Sequence, residues 1–251
     1  MLELQGVSRL FGGLAALNTV NMTVNAGKVV GLIGPNGAGK TTLINCVSGL
    51  DHPTSGVIHF DGVEIQNKAP HQITALGLGR TYQNIRLFGD LTVLENVIIA
   101  QHQHGKANLL DSLFQSPRHR REFKQQVERA FELLKRFHLD SFSDSRAGGL
   151  PYGDQRRLEM ARAVATAPRL ILLDEPTAGM NPVETHEFGE QILKLRDDGL
   201  TLLVIEHDMA LISQVCDEVY VLNFGEMIAN GTVDAIKQNQ DVIEAYLGRE
   251  D

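Results

Sequence analysis

Gly34-Pro35-Asn36-Gly37-Ala38-Gly39-Lys40-Thr41 fits the pattern G-x-x-x-x-G-K-[ST], and each position has a use in phosphate chemistry. Glycines let the backbone curl so that successive N–H groups converge on phosphate oxygens. Lys40 is a point charge for the β- and γ-phosphates of a nucleotide. Thr41 offers a hydroxyl to Mg²⁺, and Thr42 a hydroxyl to a nearer phosphate. A purely structural glycine turn is the plain alternative. The flanks speak against it, since an apolar run precedes the loop and a helical pattern follows. The second chemical signal is Asp174-Glu175, placed directly after the apolar run Leu170 to Leu173. Asp174 is suited to hold Mg²⁺ through water and Glu175 to polarise an attacking water. Solvated acids at a strand end would look the same in isolation. Together the two motifs describe a phosphate-loop nucleotidase that takes a nucleotide with Mg²⁺, without choosing among families.

The elements that must carry these groups are visible around them. Val29 to Ile33 reads as a short buried strand leading into the glycine loop, and Thr41 to Leu50 as the helix leaving it. A helix starting there adds its positive dipole end to the phosphate site. Val57 to Phe60 followed by Asp61-Gly62 reads as a strand and hairpin turn. In the last third, Arg169 to Leu173, Thr201 to Ile205 and Val219 to Leu222 read as buried strands. Val183 to Asp198 lies between the first two as a helix, with Phe188, Ile192 and Leu195 as its apolar stripe. Strand–helix–strand alternation predicts an α/β fold with a mostly parallel sheet covered on both faces. A parallel strand ending in acids puts them at the carboxyl edge, where ligands bind.

The middle, about residues 84–167, changes character. Phe123, Val127, Phe131, Leu134 and Phe137 recur at steps of three or four, the period of an amphipathic helix. Arg118, Arg120, Arg121 and Lys124 read as a solvated face, with a partner or lipid headgroups as the alternative contact. The expected organisation is a core of about residues 1–83 and 168–251 with an α-helical subdomain of about 84–167 inserted.

Composition bounds the rest. The chain has 251 residues and a net charge of 23 − 31 = −8, with 43% apolar residues. That is one large domain, or one core with a subdomain. Disordered, collagenous and disulfide-scaffold classes are excluded as descriptions of the whole. No run approaches the ~20 apolar residues of a bilayer-spanning helix. Met1-Leu2-Glu3-Leu4 lacks the basic start and apolar stretch of a signal peptide. Cys46 and Cys216 form no metal-spaced pair and read as buried reduced thiols of the cytosol. The acidic balance predicts no nucleic-acid partner.

Beyond the two motifs, the chain resembles the ATP-binding subunit of an ABC transporter over essentially its whole length. The order Gly34 to Thr41, Gln83, Leu150 to Asp154, Asp174-Glu175 and His207 carries the likeness. The resemblance implies a RecA-like phosphate-loop core, an N-terminal antiparallel β subdomain and the helical insertion. It implies that Gln83 contacts Mg²⁺ and the attacking water, that His207 bonds the γ-phosphate and orients Glu175, and that Phe11 stacks on adenine. Catalysis would then fall to Glu175, His207, Gln83 and Lys40, and metal binding to Thr41, Gln83 and Asp174.

Two segments depart from the family pattern. The usual signature is Leu-Ser-Gly-Gly-Gln, and here it is Leu150-Pro151-Tyr152-Gly153-Asp154. Pro151 brings neither the expected hydroxyl nor an N–H. Asn181 stands where many members carry aspartate, and the resemblance places that loop against a facing subunit. Gly79 to Phe88, Ala178 to Pro182 and Val242 to Gly248 are similar to ATPases of branched-chain amino-acid importers, as is the stretch around Leu109 to Lys124. The resemblance then implies a peripheral subunit on the cytoplasmic face of the inner membrane. Its partners would be two transmembrane permease subunits and an identical or homologous ATPase subunit, paired head to tail. A substrate-binding protein would act indirectly. ATP on one phosphate loop would be closed in trans by Leu150, Pro151, Tyr152, Gly153 and Asp154 of the facing subunit. A lipid or lipopolysaccharide exporter ATPase and a non-transport regulatory ATPase are the alternatives.

Overall fold

A computed structural model describes residues 1–101 and 117–247. The predicted segment from Leu109 up to Pro117, the side chains of Arg118 and Arg120, and Gly248 lie outside what is described. The chain divides into two compact units. One comprises Met1–Gln83, Arg169–Ala178 and Thr185–Asp251, the other Asn84–Pro168 and Gly179–Glu184.

The first unit holds two sheets. The antiparallel one has the order β2-β1-β4-β5, built from β1 (Leu2–Phe11), β2 (Leu14–Val24), β4 (Ser55–Phe60) and β5 (Val63–Glu64). The β4–β5 hairpin turns at Asp61 and Gly62, both with positive φ of 48° and 76°. Left-handed backbone at both central positions matches the right-handed twist of the flanking strands.

The larger sheet has the order β10-β9-β3-β8-β7-β6. Its strands are β3 (Val29–Ile33), β6 (Leu78–Arg80), β7 (Leu170–Asp174), β8 (Thr201–Ile205), β9 (Glu218–Asn223) and β10 (Glu226–Gly231). All neighbours are parallel except the β9–β10 hairpin. Every residue of β3, β7 and β8 is buried, which is why these strands read as unbroken apolar runs. The antiparallel β10 was not legible, because Glu226 to Gly231 offers only the short apolar stretch Met227-Ile228-Ala229 between polar residues. One apolar core joins the two sheets, with Leu4, Val20 and Ile58 meeting Leu32, Leu172 and Leu203.

Helices α1 (Lys40–Val47) and α2 (Pro70–Ala75) belong to this unit. So do α7 (Met209–Val215), α8 (Val233–Lys237) and α9 (Gln240–Leu247).

The second unit is helical. It contains α3 (Val93–Ala100), α4 (Pro117–Arg136), α5 (Tyr152–Ala165) and two short 3₁₀ turns. Thr92 caps α3, accepting from the Glu95 N–H while Glu95 accepts from the Thr92 N–H. α3 packs on α4 and α5. The expected stripe on α4 is only partly buried. Leu134 and Phe137 are fully covered, whereas Phe123 is 50% exposed. The periodicity reports amphipathicity and says nothing of how far the partners reach: α5 has 14 residues against 20 in α4. Lys124 is exposed and faces Glu128 at 3.8 Å, a solvated position. α6 (Pro182–Asp197) buries Phe188, Ile192 and Leu195 as its spacing predicted.

Candidate functional site

The phosphate loop leaves β3 at Gly34 and ends where α1 begins at Lys40. Two of its glycines are required by close approach. A Cβ on Gly34 (φ 150°) would stand 2.0 Å from the Leu222 carbonyl oxygen. One on Gly39 (φ 105°) would stand 2.5 Å from that of Ala16. Gly37 has left-handed backbone with open space beside it. No side chain caps the N-terminus of α1, so its first N–H groups stay available to an anion. Ala38 donates to the Pro35 carbonyl at 3.2 Å, and Gly225 in the β9–β10 turn donates to the Ala38 carbonyl at 2.8 Å. The loop is braced from outside as well as within.

Lys40 is buried, and its Nζ donates to the carbonyls of Gly34 at 2.5 Å and Pro35 at 3.0 Å. Burial lowers its pKa, and the carboxylates of Glu175 and Asp174 act in the opposite direction. A cleft of about 360 Å³ opens over the loop. Its walls are Leu14, Ala15 and Ala16 of β2, residues 36–42, Glu175 and Phe224. Gly34 and Pro35 are not among its walls; their carbonyls hold Lys40, which is one of them. Phe11 does not line this cleft; it is half exposed, with the Arg9 guanidinium 4.5 Å over its ring. Phe224, which sequence reasoning missed, does. It is 84% exposed and held at φ 45° in the β9–β10 turn. The dipeptide Phe224-Gly225 after an apolar strand was the available signal.

Asp174 and Glu175 stand at the carboxyl end of β7. Asp174 Oδ2 accepts from Arg80 Nη2 at 3.0 Å. Arg80 Nη1 also donates to Asn45 Oδ1 at 2.8 Å and Ser48 Oγ at 2.7 Å. Glu175 has φ 46°, an unfavourable left-handed conformation for a non-glycine residue. Its Oε2 accepts from Gln83 Nε2 at 2.7 Å. His207 is mostly exposed, with Nδ1 4.0 Å from Glu175 Oε1 and 3.6 Å from Glu206 Oε2. It therefore stands beside Glu175 without a hydrogen bond to it.

The neighbour Glu206 was not singled out by its sequence, yet it is fully buried. It accepts from Thr177 Oγ1 at 2.7 Å, the Thr177 N–H at 3.1 Å and the His207 N–H at 3.1 Å. Those bonds tie the backbone just after the acids to the backbone just after β8. The hydroxyl of Thr41, the amide carbonyl of Gln83 and the carboxylate of Asp174 are hard oxygen donors. Such a set suits Mg²⁺ held jointly with phosphate oxygens and water. No metal cluster of His, Cys, Asp and Glu occurs among the described residues.

The predicted signature segment lies in the helical unit. Leu150 is buried and Pro151 is the N-cap of α5. The Tyr152 hydroxyl accepts from Arg156 Nη2 at 2.9 Å, and Arg156 Nη1 pairs with Glu159 at 3.2 Å. The Tyr152 ring packs on Gly179, where a Cβ would lie 3.1 Å from Cε1. Gly153 faces Glu184, and Asp154 pairs with Arg157 at 3.2 Å. Asn181 has a local task that sequence comparison concealed. Its Oδ1 accepts from the Val183 and Glu184 N–H groups, while Glu184 Oε2 accepts from the Asn181 N–H at 2.9 Å. This is a reciprocal cap of α6.

Residues 17–178 match the family model "ABC transporter", and residues 226–251 match "Branched-chain amino acid ATP-binding cassette transporter". The chain is 47% identical to the high-affinity branched-chain amino acid transport ATP-binding protein BraF of Pseudomonas aeruginosa, covering 99% of this chain and 98% of the relative. It is 45% identical to LivG of Escherichia coli, a protein of the same description, with the same coverage. Among solved structures it is similar to a nucleotide-free ATP-binding cassette from an ABC transporter. The TM-score is 0.86 at 33% identity, over 99% of both chains. It is also similar to a dimeric cassette in a post-hydrolysis state bound to ADP and Pi, with a TM-score of 0.78 and 28% identity over 93% and 99%.

Proposed function

The chain belongs to the family of ABC transporter ATP-binding subunits, and we propose that it drives an importer for branched-chain or related hydrophobic amino acids. It is an ATPase, converting ATP and water to ADP and phosphate. The match of residues 226–251 to the branched-chain model carries the substrate class. It favours import over the lipid-exporter and regulatory alternatives.

In the proposed reaction the loop N–H groups and the α1 terminus cradle the phosphates, and Lys40 turns from its carbonyl partners to the β- and γ-phosphates. The phosphate oxygens replace the two carbonyl acceptors that Lys40 holds in this structure. Glu175 orients the attacking water and accepts its proton, with Gln83 holding the carboxylate at the cleft. His207 steadies the γ-phosphate. Thr41, Gln83 and Asp174 would hold Mg²⁺, which would supply positive charge against the phosphoryl oxygens. Leu14 to Ala16 and Phe224 offer an apolar wall to the base, and Phe11 supplies a ring at the same end of β1.

Residues Leu150 to Asp154 of a facing subunit would complete the site. This subunit would be identical or homologous, and the dimeric cassette bound to ADP and Pi supports the arrangement. With Pro151 in place of the family serine, the backbone N–H groups around Gly153 and the start of α5 carry that contact. Closure and reopening of the pair would rock two transmembrane permease subunits, while a separate substrate-binding protein reads the cargo. No helix among the described residues is long and apolar enough to cross a membrane. This supports a peripheral position, which we assign to the cytoplasmic face of the inner membrane. The net charge of −8 supports the absence of a nucleic-acid partner.

The test is capture of the tagged chain from detergent-solubilised native membranes, with leucine uptake measured after its deletion. Two multi-span proteins and an ATPase partner, with lost uptake, are expected. Soluble partners alone with unchanged uptake would overturn the transport reading and leave the ATPase intact.

A further inference from the structure

Arg80 is the residue the proposed reaction does not use, and its surroundings are unusual. Its guanidinium is 8% exposed and lies 3.0 Å from Asp174, itself 9% exposed. The same guanidinium is anchored to α1 through Asn45 and Ser48 and lies 5.0 Å from the Tyr82 ring centroid. Its Nε is buried with no partner, a cost that a purely structural brace would avoid. A buried carboxylate with no counter-charge is strongly unfavourable. In a chain without nucleotide, Arg80 is the cation bonded directly to Asp174, with the Lys40 ammonium acting on it from farther away.

We propose that Arg80 is a positioning residue that serves as the resident counter-ion of Asp174, so that the divalent metal enters only together with nucleotide phosphates. One carboxylate oxygen is occupied by the guanidinium, which leaves Asp174 to meet the metal through water. The fixed positive charge repels a second cation arriving alone. Phosphate oxygens of a bound nucleotide supply the negative charge that overcomes this repulsion. Anchoring to α1 ties the Asp174 carboxylate to the helix that carries Lys40 and Thr41, so the two halves of the metal site keep one spacing. The inference rests on Asp174 being the metal carboxylate.

Mn²⁺ binding followed by electron paramagnetic resonance tests both statements separately on the wild-type chain. Mn²⁺ is expected to remain free without nucleotide and to bind when ATP is present with turnover blocked by cold. Failure to bind even with ATP would overturn the metal reading itself. Binding of equal strength without nucleotide would overturn the role of Arg80.

Thermal melting supplies the second readout. Arg80→Gln is expected to lower Tm by about 10 °C without metal. Millimolar Mg²⁺ alone should restore most of this loss while leaving the wild-type Tm unchanged. Arg80→Lys keeps the charge and is expected to ignore Mg²⁺. A loss of Tm in Arg80→Gln that Mg²⁺ does not reverse, or equal responses in the two variants, would reduce Arg80 to a structural brace. The double variant Arg80→Gln/Asp174→Asn removes both charges and should be insensitive to Mg²⁺. A Mg²⁺ response there would place the metal elsewhere and overturn the inference.

Discussion

Gln83 Nε2 donates a 2.7 Å hydrogen bond to Glu175 Oε2, joining the residues after β6 to the acid after β7. The bond fixes the carboxylate that faces the Lys40 cleft and makes its chemistry separable from nucleotide binding.

Glu175→Gln should therefore bind ATP as the wild type does while phosphate release falls by about 10²–10⁴-fold. Equilibrium binding and steady-state phosphate release, measured side by side, check this. Turnover within tenfold of wild type would remove Glu175 from the role of base.

Lys40→Ala acts on binding itself. Its buried ammonium is the only charge contributed by the loop, and nucleotide affinity should fall by at least about tenfold, a loss of ~1.4 kcal/mol. Titration calorimetry with ATP under EDTA isolates this effect from the metal. Unchanged affinity would undo the phosphate-loop assignment.

Two glycine substitutions should separate sharply. Gly34→Ala drives a Cβ to 2.0 Å from the Leu222 carbonyl and should cost more than about 3 kcal/mol, with loss of nucleotide binding. Gly37→Ala meets open space and should cost only about 1 kcal/mol for its positive φ. Chemical denaturation of both variants reads the difference.

Asn181→Ala removes the α6 cap and should destabilise the chain by about 1 kcal/mol, whereas Asn181→Asp keeps the acceptor and stays within a few tenths. Urea denaturation midpoints decide it. Equal losses in both variants would mean that the cap contributes nothing.

The cysteines predict an alkaline limit. Burial, with Asp217, pushes Cys216 from 9.0 up to about 12, and burial, with Asp51, pushes Cys46 up to about 11. Folded thiols then hold protons that the unfolded chain releases. Stability from this source is full below pH ~9 and declines as pH rises toward 11 and 12. At pH ~8 the fully buried Cys46 of the native protein should resist thiol reagents and react only on unfolding. Rapid labelling of Cys46 in the native chain would contradict the burial.

What the sequence made legible were features set by short-range rules. The phosphate loop, the acids after β7 and the buried parallel strands each show in a few consecutive residues. The Arg80–Asp174 pair joins residues far apart in the chain, and no local pattern signals it. Glu206 was hidden for the same reason, since its bonds to Thr177 form only when the ends of β7 and β8 lie side by side. The exposed Phe123 shows the opposite failure: a clear helical period that outruns its cover among the described residues. The cap that Asn181 forms at the α6 terminus depends on Glu184 three residues on, and its departure from the family pattern did not reveal it.

The left-handed backbone at Glu175 has a geometric consequence for the pair of acids. Successive side chains along an extended strand point to opposite sides of the sheet. Had β7 continued straight, Asp174 and Glu175 would have diverged, one toward each layer of helices. The reversal of φ at Glu175 breaks that alternation at the last possible residue. Both carboxylates then act on the same ammonium, that of Lys40. Two adjacent letters can serve a single reaction because one torsion angle folds the second back beside the first. The proposed division of labour, Asp174 as metal ligand and Glu175 as base, is thus set in the main chain, before either side chain chooses a rotamer.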